Sequence, residues 1–478
     1  MVTTTISPYL NGNFAPVREE ITADELVVIG ELPPDLSGMF IRNGPNPRFA
    51  PICHHQWFDG DGMLHGVQIN NGKASYRNRY VQTRAFKMEA EAGRALWKGP
   101  TEPPNFDLPP NNLFGPFKNT ANTALVWHGG RLLALWEGAE PYEIAVPNLE
   151  TVEPYNYEGK LASRFTAHPK VDPETGEMMF YGYAVTSQPY LQYSIVSREG
   201  ELTKTVTIDI PAPVMMHDFA ITERYTIFMY LPLTFSMERI MRGESAYLFD
   251  SDAPSRFGIL PRYGDNSNIQ WFEAPSCYIF HTVNAYEAGE EIVLIACRMS
   301  GTTCLDIPTK FNDSQDDRPR LYRWRFNLRT GAVHEELLDV LASDFPSLNQ
   351  QRLGRQSRYA YTAKMASGQR LAFSFDGLLK YDFMTDSSQV YEFGSGRYGG
   401  EAVFVPRTPL IHPSQEGKKG DEDDGWLMTF VYDTTQQASE LVVLNAQDLT
   451  TEPVARILIP QRVPYGFHGI WIPKEFLS

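Results

Sequence analysis

The chain is 478 residues long, with 42% hydrophobic and 13% aromatic content, enough apolar side chain for a large buried core and too little charge for disorder. Fifty-eight acidic against 42 basic residues leave a net charge of −16, which opposes a sequence-independent grip on nucleic acid or on an anionic membrane surface. Cys53, Cys277, Cys297 and Cys304 include no C-x-x-C pair, so neither a disulfide framework nor a zinc ribbon is indicated.

The opening Met-Val-Thr-Thr-Thr-Ile-Ser-Pro has no basic region followed by an apolar one. No window reaches the roughly 18 apolar residues of a membrane-spanning helix. Together with scattered reduced thiols this predicts a cytoplasmic protein. Residues 1–31 read as an N-terminal extension with one short helix, placed over Ala23 to Gly30; a second helix is predicted at Ser236 to Arg242. The remainder is short strand patterns broken by turns. Asp172-Pro-Glu-Thr-Gly176 joins two strand-like segments, Ile292 to Ala296 suits a strand buried on both faces, and the alternating Leu321-Tyr-Arg-Trp-Arg-Phe326 runs into the turn Asn327-Leu-Arg-Thr-Gly331. Gln415 to Asp424 is the strongest polar tract and reads as a solvated loop tip. No linker divides the chain, so residues 1–478 are expected to form one all-β domain. Turn-punctuated meanders starting near Leu132, His168, His217, His281, Tyr359 and Trp426 suggest the blades of a β-propeller.

Four histidines close apolar or aromatic runs in strand-like settings: Arg-Phe-Thr-Ala-His168-Pro, Val-Met-Met-His217-Asp-Phe, Tyr-Ile-Phe-His281-Thr-Val and Tyr-Gly-Phe-His468-Gly-Ile-Trp. Imidazole is costly to desolvate without a partner, and four in like surroundings call for a shared cause. A metal held by four neutral imidazoles is that cause, and radial inner strands of a propeller would let distant residues converge. Such a set leaves octahedral positions open, as an oxygen-activating iron(II) centre requires, whereas catalytic zinc usually keeps three protein ligands. Because the ligands are neutral, anions belong behind them, accepting the other ring N–H. Glu137 in Leu135-Trp-Glu-Gly, Asp344 in Ser343-Asp-Phe-Pro and Glu401 in Gly399-Gly-Glu-Ala-Val-Phe are the candidates. His54, His55 and His65 are assigned to backbone hydrogen bonds in the opening loop, His128, His334 and His412 to turns, and Arg42, Asp59 and Asp61 to turn and ion-pair anchoring. There is no Gly-x-Ser-x-Gly, His-Glu-x-x-His or nucleotide-binding glycine loop.

With these contexts in place the chain resembles the carotenoid cleavage oxygenases, from about Leu32 to Pro473. Gly38-Met-Phe-Ile-Arg-Asn-Gly-Pro-Asn-Pro47 and Trp57-Phe-Asp-Gly-Asp-Gly-Met-Leu-His65 look like that family's opening signature, and the four histidine contexts match its iron ligands in order. The resemblance implies a seven-bladed β-propeller capped by loops and short helices, with one iron(II) on the axis and a hydrophobic tunnel leading to it. It places Glu137, Asp344 and Glu401 as second-shell carboxylates; position 344 is Glu in many members and Asp-Phe-Pro in plant-type enzymes. Thr123 matches a residue that crowds the iron's sixth site. The implied reaction is cleavage by dioxygen of a conjugated double bond of a carotenoid or apocarotenoid, at the 9,10 position by likeness to the plant enzymes, giving two carbonyl products. The substrate is then a long apolar polyene, and Pro103 to Phe117 and Leu231 to Met241 would line a tunnel mouth or make weak peripheral contact with a membrane. No protein partner is implied. Stilbene-cleaving relatives carry a lysine just before the second-shell glutamate, where this chain has Trp136. A stilbene-cleaving dioxygenase and a retinoid-type isomerase are the competing activities, and a non-enzymatic binding platform is a third reading.

Overall fold

The computed structural model describes residues 7–302, 317–367, 374–407 and 421–477. Strands dominate. Among the described residues the α-helices are Arg84–Ala92 and Met237–Met241. Contacts divide the chain into two compact units, one formed by Met1–Ala167, Met428–Val443 and Pro453–Ser478, the other by His168–Leu427 and Leu444–Glu452.

The first unit ties both ends of the chain into one sheet. Thr22–Ala23, Lys73–Tyr80, Gly62–Asn70, Gly38–Pro45 and Gly469–Pro473 lie side by side in that order, with Arg42 opposite Gly469 and Met39 opposite Ile472. A second, four-stranded meander runs through Ala124–His128, Arg131–Leu135, Tyr142–Ile144 and Thr151–Pro154. Met39, Ile41, Leu64, Leu132, Tyr142 and Ile472 form one buried apolar cluster across these sheets.

The second unit is a succession of antiparallel meanders. Lys170–Val171, Met178–Tyr183, Leu191–Val196 and Leu202–Thr207 make one sheet; Ala220–Ile221, Tyr225–Tyr230, Ser255–Pro261 and Gln270–Ala274 make another. A seven-stranded sheet follows in chain order through Tyr278–Ala288, Glu291–Met299, Arg320–Asn327, Val333–Ser347, Tyr359–Met365, Phe375–Asp382 and Ser387–Glu392. Asp172 knits the first of these sheets to its surroundings. It pairs with Arg262 at 2.7 Å and Arg355 at 2.9 Å, and all of its surface is buried.

Several local expectations hold. Asp172–Gly176 turns the hairpin in which Val171 faces Met178, Asn327–Gly331 closes the turn after Arg320–Asn327, and Ile292 to Ala296 are buried. Ser236 caps the helix Met237–Met241 by accepting from the Arg239 N–H. Three expectations need correction. Ala23 to Gly30 is not helical: Val28–Gly30 is a strand paired with Ala455–Ile459, because Val27, Val28 and Ile29 are β-branched and Gly30, at φ +89°, packs against the Val454 carbonyl too closely for a Cβ. The acidic end of the polar tract is only partly solvated: Asp421 is exposed, but Asp423 is buried against Lys380 at 2.6 Å and the Glu422 carboxylate accepts from the Arg358 and Tyr359 N–H groups; residues 415–420, Cys304 and His412 lie outside the described residues. The helix Arg84–Ala92 was not expected. Thr83 caps it through the Phe86 N–H, Gly93 ends it at φ +66°, and its Glu89 is held inside by Lys118 at 2.7 Å.

Candidate metal centre

Only His281 of the four histidines lies within a strand; His168, His217 and His468 sit just before the strands Lys170–Val171, Ala220–Ile221 and Gly469–Pro473. That corrects the expected strand setting. Irregular backbone ahead of a strand frees an imidazole from the alternation that would fix its direction within the sheet.

His281 reaches the same freedom through a bulge. On the neighbouring strand Ile279 faces Arg298 and Thr282 faces Ala296, so Phe280 and His281 together face Cys297 alone. His168 and His217 bring their Nε2 atoms to 3.0 Å, and the His281 ring stands 5.1 and 5.2 Å from theirs, centroid to centroid. Counting His468, one ligand atom from each of the four histidines falls within 4.8 Å of every other. Phe280 sets its ring edge against His217, and Phe345 leans on His281, giving apolar walls.

The imidazoles are arranged for a cation. His281 Nδ1 lies 2.8 Å from Asp344 Oδ1, so that nitrogen carries the proton and Nε2 keeps its lone pair. Two imidazole nitrogens bound at about 2.1 Å to one ion stand about 3.0 Å apart at a right angle, and His168 and His217 have that spacing. The donor set therefore fits a first-row metal such as iron(II).

Asp344 is itself held. Its Oδ1 also accepts the Phe345 N–H at 2.8 Å, and Phe345 adopts φ +51°, an uncommon left-handed conformation for a bulky residue. Such strain costs of order 1–3 kcal/mol and persists where surrounding contacts fix it. Here it sets the Phe345 ring against both His281 and Phe375. Burial, and then the adjoining Asp344 carboxylate, hold the Cys297 thiol far above its ordinary pKa, so it stays protonated beside that carboxylate.

The other expected residues are placed as follows. Thr123 is buried just before Ala124–His128; its carbonyl accepts the His468 N–H at 3.3 Å and its hydroxyl donates to Asn122 Oδ1 at 3.0 Å. Trp136 and Glu137 are half-buried in the turn after Arg131–Leu135, where the indole lies so close over Gly138 that a Cβ there would collide with it. Glu401 is half-buried just before Val403–Pro406. Of the expected carboxylates, Asp344 is hydrogen-bonded to the imidazole of His281.

The opening signature forms paired strands and a tight turn. Asp59 closes the turn Trp57–Asp59 by accepting the Gln56 N–H, Asp61 pairs with Lys118 at 2.5 Å, and Arg42 lies over the Phe430 ring. His65 departs from its assignment: it is buried within the strand Gly62–Asn70 and bonds the Tyr76 hydroxyl at 2.8 Å instead of a loop backbone group. The sequence reading missed Cys297, Phe345, Lys170, Asp218 and Thr282. A signal existed for the last three, each lying within two positions of a candidate ligand.

Comparison with known proteins agrees with this arrangement. The profile of the family described as retinal pigment epithelial membrane protein (RPE65) matches residues 14–473. A carotenoid 9,10(9',10')-cleavage dioxygenase of Crocus sativus is 41% identical over 98% of this chain and 90% of its own, and a carotenoid cleavage oxygenase of Mycobacterium tuberculosis is 35% identical over 98% of both. The crystal structure of Pseudomonas brassicacearum lignostilbene dioxygenase superposes with a TM-score of 0.88 at 29% identity, covering 98% of this chain and 99% of that one. Cobalt-substituted Synechocystis apocarotenoid oxygenase superposes with a TM-score of 0.82 at 28% identity, covering 96% and 97%. A match spanning nearly the whole chain, with four histidines gathered at one point, means that the chain belongs to the RPE65 and carotenoid cleavage oxygenase family.

Proposed function

We propose that this protein is a non-haem iron(II) dioxygenase that cleaves a conjugated double bond of a carotenoid or apocarotenoid, at the 9,10 position, to two carbonyl products. The gathering of His168, His217, His281 and His468 within 4.8 Å carries this reading, in a chain 41% identical to a carotenoid 9,10(9',10')-cleavage dioxygenase. The fold we propose is a seven-bladed propeller with the metal on its axis. Successive antiparallel meanders support it, the seven-stranded sheet counting as two blades.

In this reading the four histidines hold one iron(II) per chain, which when bound supplies the dioxygen chemistry. The protein's own work is placement and exclusion of water. Asp344, Glu137 and Glu401 orient imidazoles from behind, a role supported for Asp344 by its hydrogen bond to His281. Thr123, joined to the His468 backbone, crowds one side of the metal. Phe280, Phe345 and Trp136 furnish apolar surface suited to a polyene. No helix among the described residues is long and apolar enough to cross a membrane. Peripheral membrane contact is supported by Phe106 and Leu113, which are 73% and 50% exposed in Pro103 to Phe117, and a cytoplasmic setting by the free thiols Cys53, Cys277 and Cys297.

Cleavage of a stilbene is the second reading, favoured by the likeness to lignostilbene dioxygenase and opposed by Trp136, since an indole cannot take a phenol proton as an amine does. The deciding experiment incubates iron-loaded protein under labelled dioxygen with carotenoids, apocarotenals and hydroxystilbenes and records product masses. Two carbonyl products of a carotenoid or apocarotenal, each carrying label, are expected. Turnover of hydroxystilbenes alone would overturn the substrate class, and turnover without oxygen uptake would favour an isomerase.

A further inference from the structure

Three of the four histidines come from separate stretches of the second unit, and each has a polar residue within two positions after it: the half-buried Lys170 two residues after His168, and the buried Asp218 and Thr282 directly after His217 and His281. These residues meet at one carboxylate. Lys170 Nζ lies 2.8 Å from Asp218 Oδ1, while the Thr282 N–H and hydroxyl both donate to Oδ2, at 2.7 and 2.8 Å. The Phe219 N–H donates to Oδ1 at 2.7 Å, and the Lys170 ammonium stands over the Phe219 ring at 5.8 Å.

The Asp218 side chain is 2% exposed and that of Lys170 13%. A carboxylate so deeply buried is tolerated because both oxygens are saturated, and a network satisfied in this way is rigid. An ordinary buried ion pair would join any two elements. This one joins the segments that carry His168, His217 and His281, and the bulge at Phe280–His281 ends at the residue, Thr282, whose N–H and hydroxyl it captures.

We propose that Lys170, Asp218 and Thr282 form a clasp that positions His168, His217 and His281 relative to one another, setting the backbone origin of each ligand while partners such as Asp344 set ring rotation. These are positioning residues, acting through the histidines. The proposal rests on the reading of the histidines as a metal centre.

The test uses the metal-free full-length chain and cobalt(II) as probe, with affinity from calorimetric titration and ligand geometry from the visible spectrum. Thr282→Val keeps the shape of the side chain and removes its hydroxyl bond. It is expected to weaken cobalt binding by about 10- to 100-fold and to alter the spectrum, whereas Thr282→Ser retains wild-type binding. Asp218→Asn should weaken binding at least as much; if it does not fold, Thr282→Val decides by the same readout. Asp423→Asn, which disturbs the buried pair with Lys380, controls for loss of stability: it should lower Tm and leave cobalt affinity and spectrum unchanged. Wild-type affinity and spectrum in Thr282→Val, or an equal loss in Asp423→Asn, would overturn the clasp. Failure of the wild type to bind cobalt would instead overturn the metal reading beneath it.

Discussion

Asp344 accepts a hydrogen bond from His281 Nδ1 at 2.8 Å and another from the N–H of its own neighbour Phe345, so one carboxylate oxygen fixes both the tautomer of His281 and the local turn at Asp344–Phe345. Removing the carboxylate frees the imidazole to rotate. Asp344→Ala should therefore lower iron(II) affinity or turnover by about 10- to 100-fold, read by metal analysis and by product formation. Unchanged iron occupancy and rate would remove Asp344 from the site.

Loss of a ligand is a larger injury than loss of its support. Alanine at His168, His217, His281 or His468 should abolish double-bond cleavage, and the wild type should retain close to one iron per chain. Chelation should silence the enzyme, iron(II) should restore it and zinc should not. A fully active zinc form would contradict the assignment.

Trp136 tests substrate class. Trp136→Lys removes an apolar wall and introduces an amine, so kcat/KM for an apocarotenal should fall by about 10-fold or more, a change typical of altered apolar pocket contacts. If the variant cleaves the apocarotenal as well as the wild type, the indole does not face the polyene.

The Asp172–Arg262–Arg355 cluster predicts stability. Burial acts to raise the Asp172 pKa, but hydrogen bonds from Arg355 and the Thr175 N–H and the charge of Arg262 hold it at about 2. A carboxyl depressed in the fold stabilises above its unfolded pKa, and that contribution is lost as pH falls from about 4 toward 2. At neutral pH Asp172→Asn leaves the buried Arg262 and the half-buried Arg355 short of a countercharge and should cost about 3–5 kcal/mol in denaturant unfolding.

A histidine loses stability in the same direction at milder pH, by being kept neutral instead of charged. Burial, then the neighbouring His54 and Lys118, bring His55 down to about 4. In the unfolded chain it takes up a proton near 6.5, so between about 6.5 and 4 the unfolded state binds more protons and stability declines on acidification. The slope is about 1.4 kcal/mol per pH unit for one proton. His55→Gln should flatten the Tm profile over that window; an unaltered profile would show that His55 titrates normally.

Much of this was legible in the sequence. Alternating apolar patterns and turn residues disclosed the strands, and four matched contexts disclosed the histidines, because their neighbours are the apolar residues that wall the site. What stayed hidden depends on register. His281 comes opposite Cys297, the thiol that meets Asp344, because two residues face one at Phe280–His281, and no local pattern announces a bulge. The helix Arg84–Ala92 was passed over although Thr83 and Gly93 bracket it, and Ala23 to Gly30 was misread because its opening Ala-Asp-Glu-Leu favours helix while Val27 to Ile29 decide the pairing.

The irregularity in the strand of His281 has an arithmetical consequence. From Ile279 to Asn284 the strand advances five residues while its neighbour, from Arg298 to Ile295, advances three. The surplus is two, an even number, so beyond the defect the alternation of faces resumes unchanged: Ala285 and its partner Leu294 share one core cluster, Tyr286 and its partner Val293 the next. A surplus of one, unless absorbed in a single bulge, would have exchanged the faces of the rest of the strand. A variant that lost both extra residues would therefore keep its core while losing the geometry that delivers the imidazole.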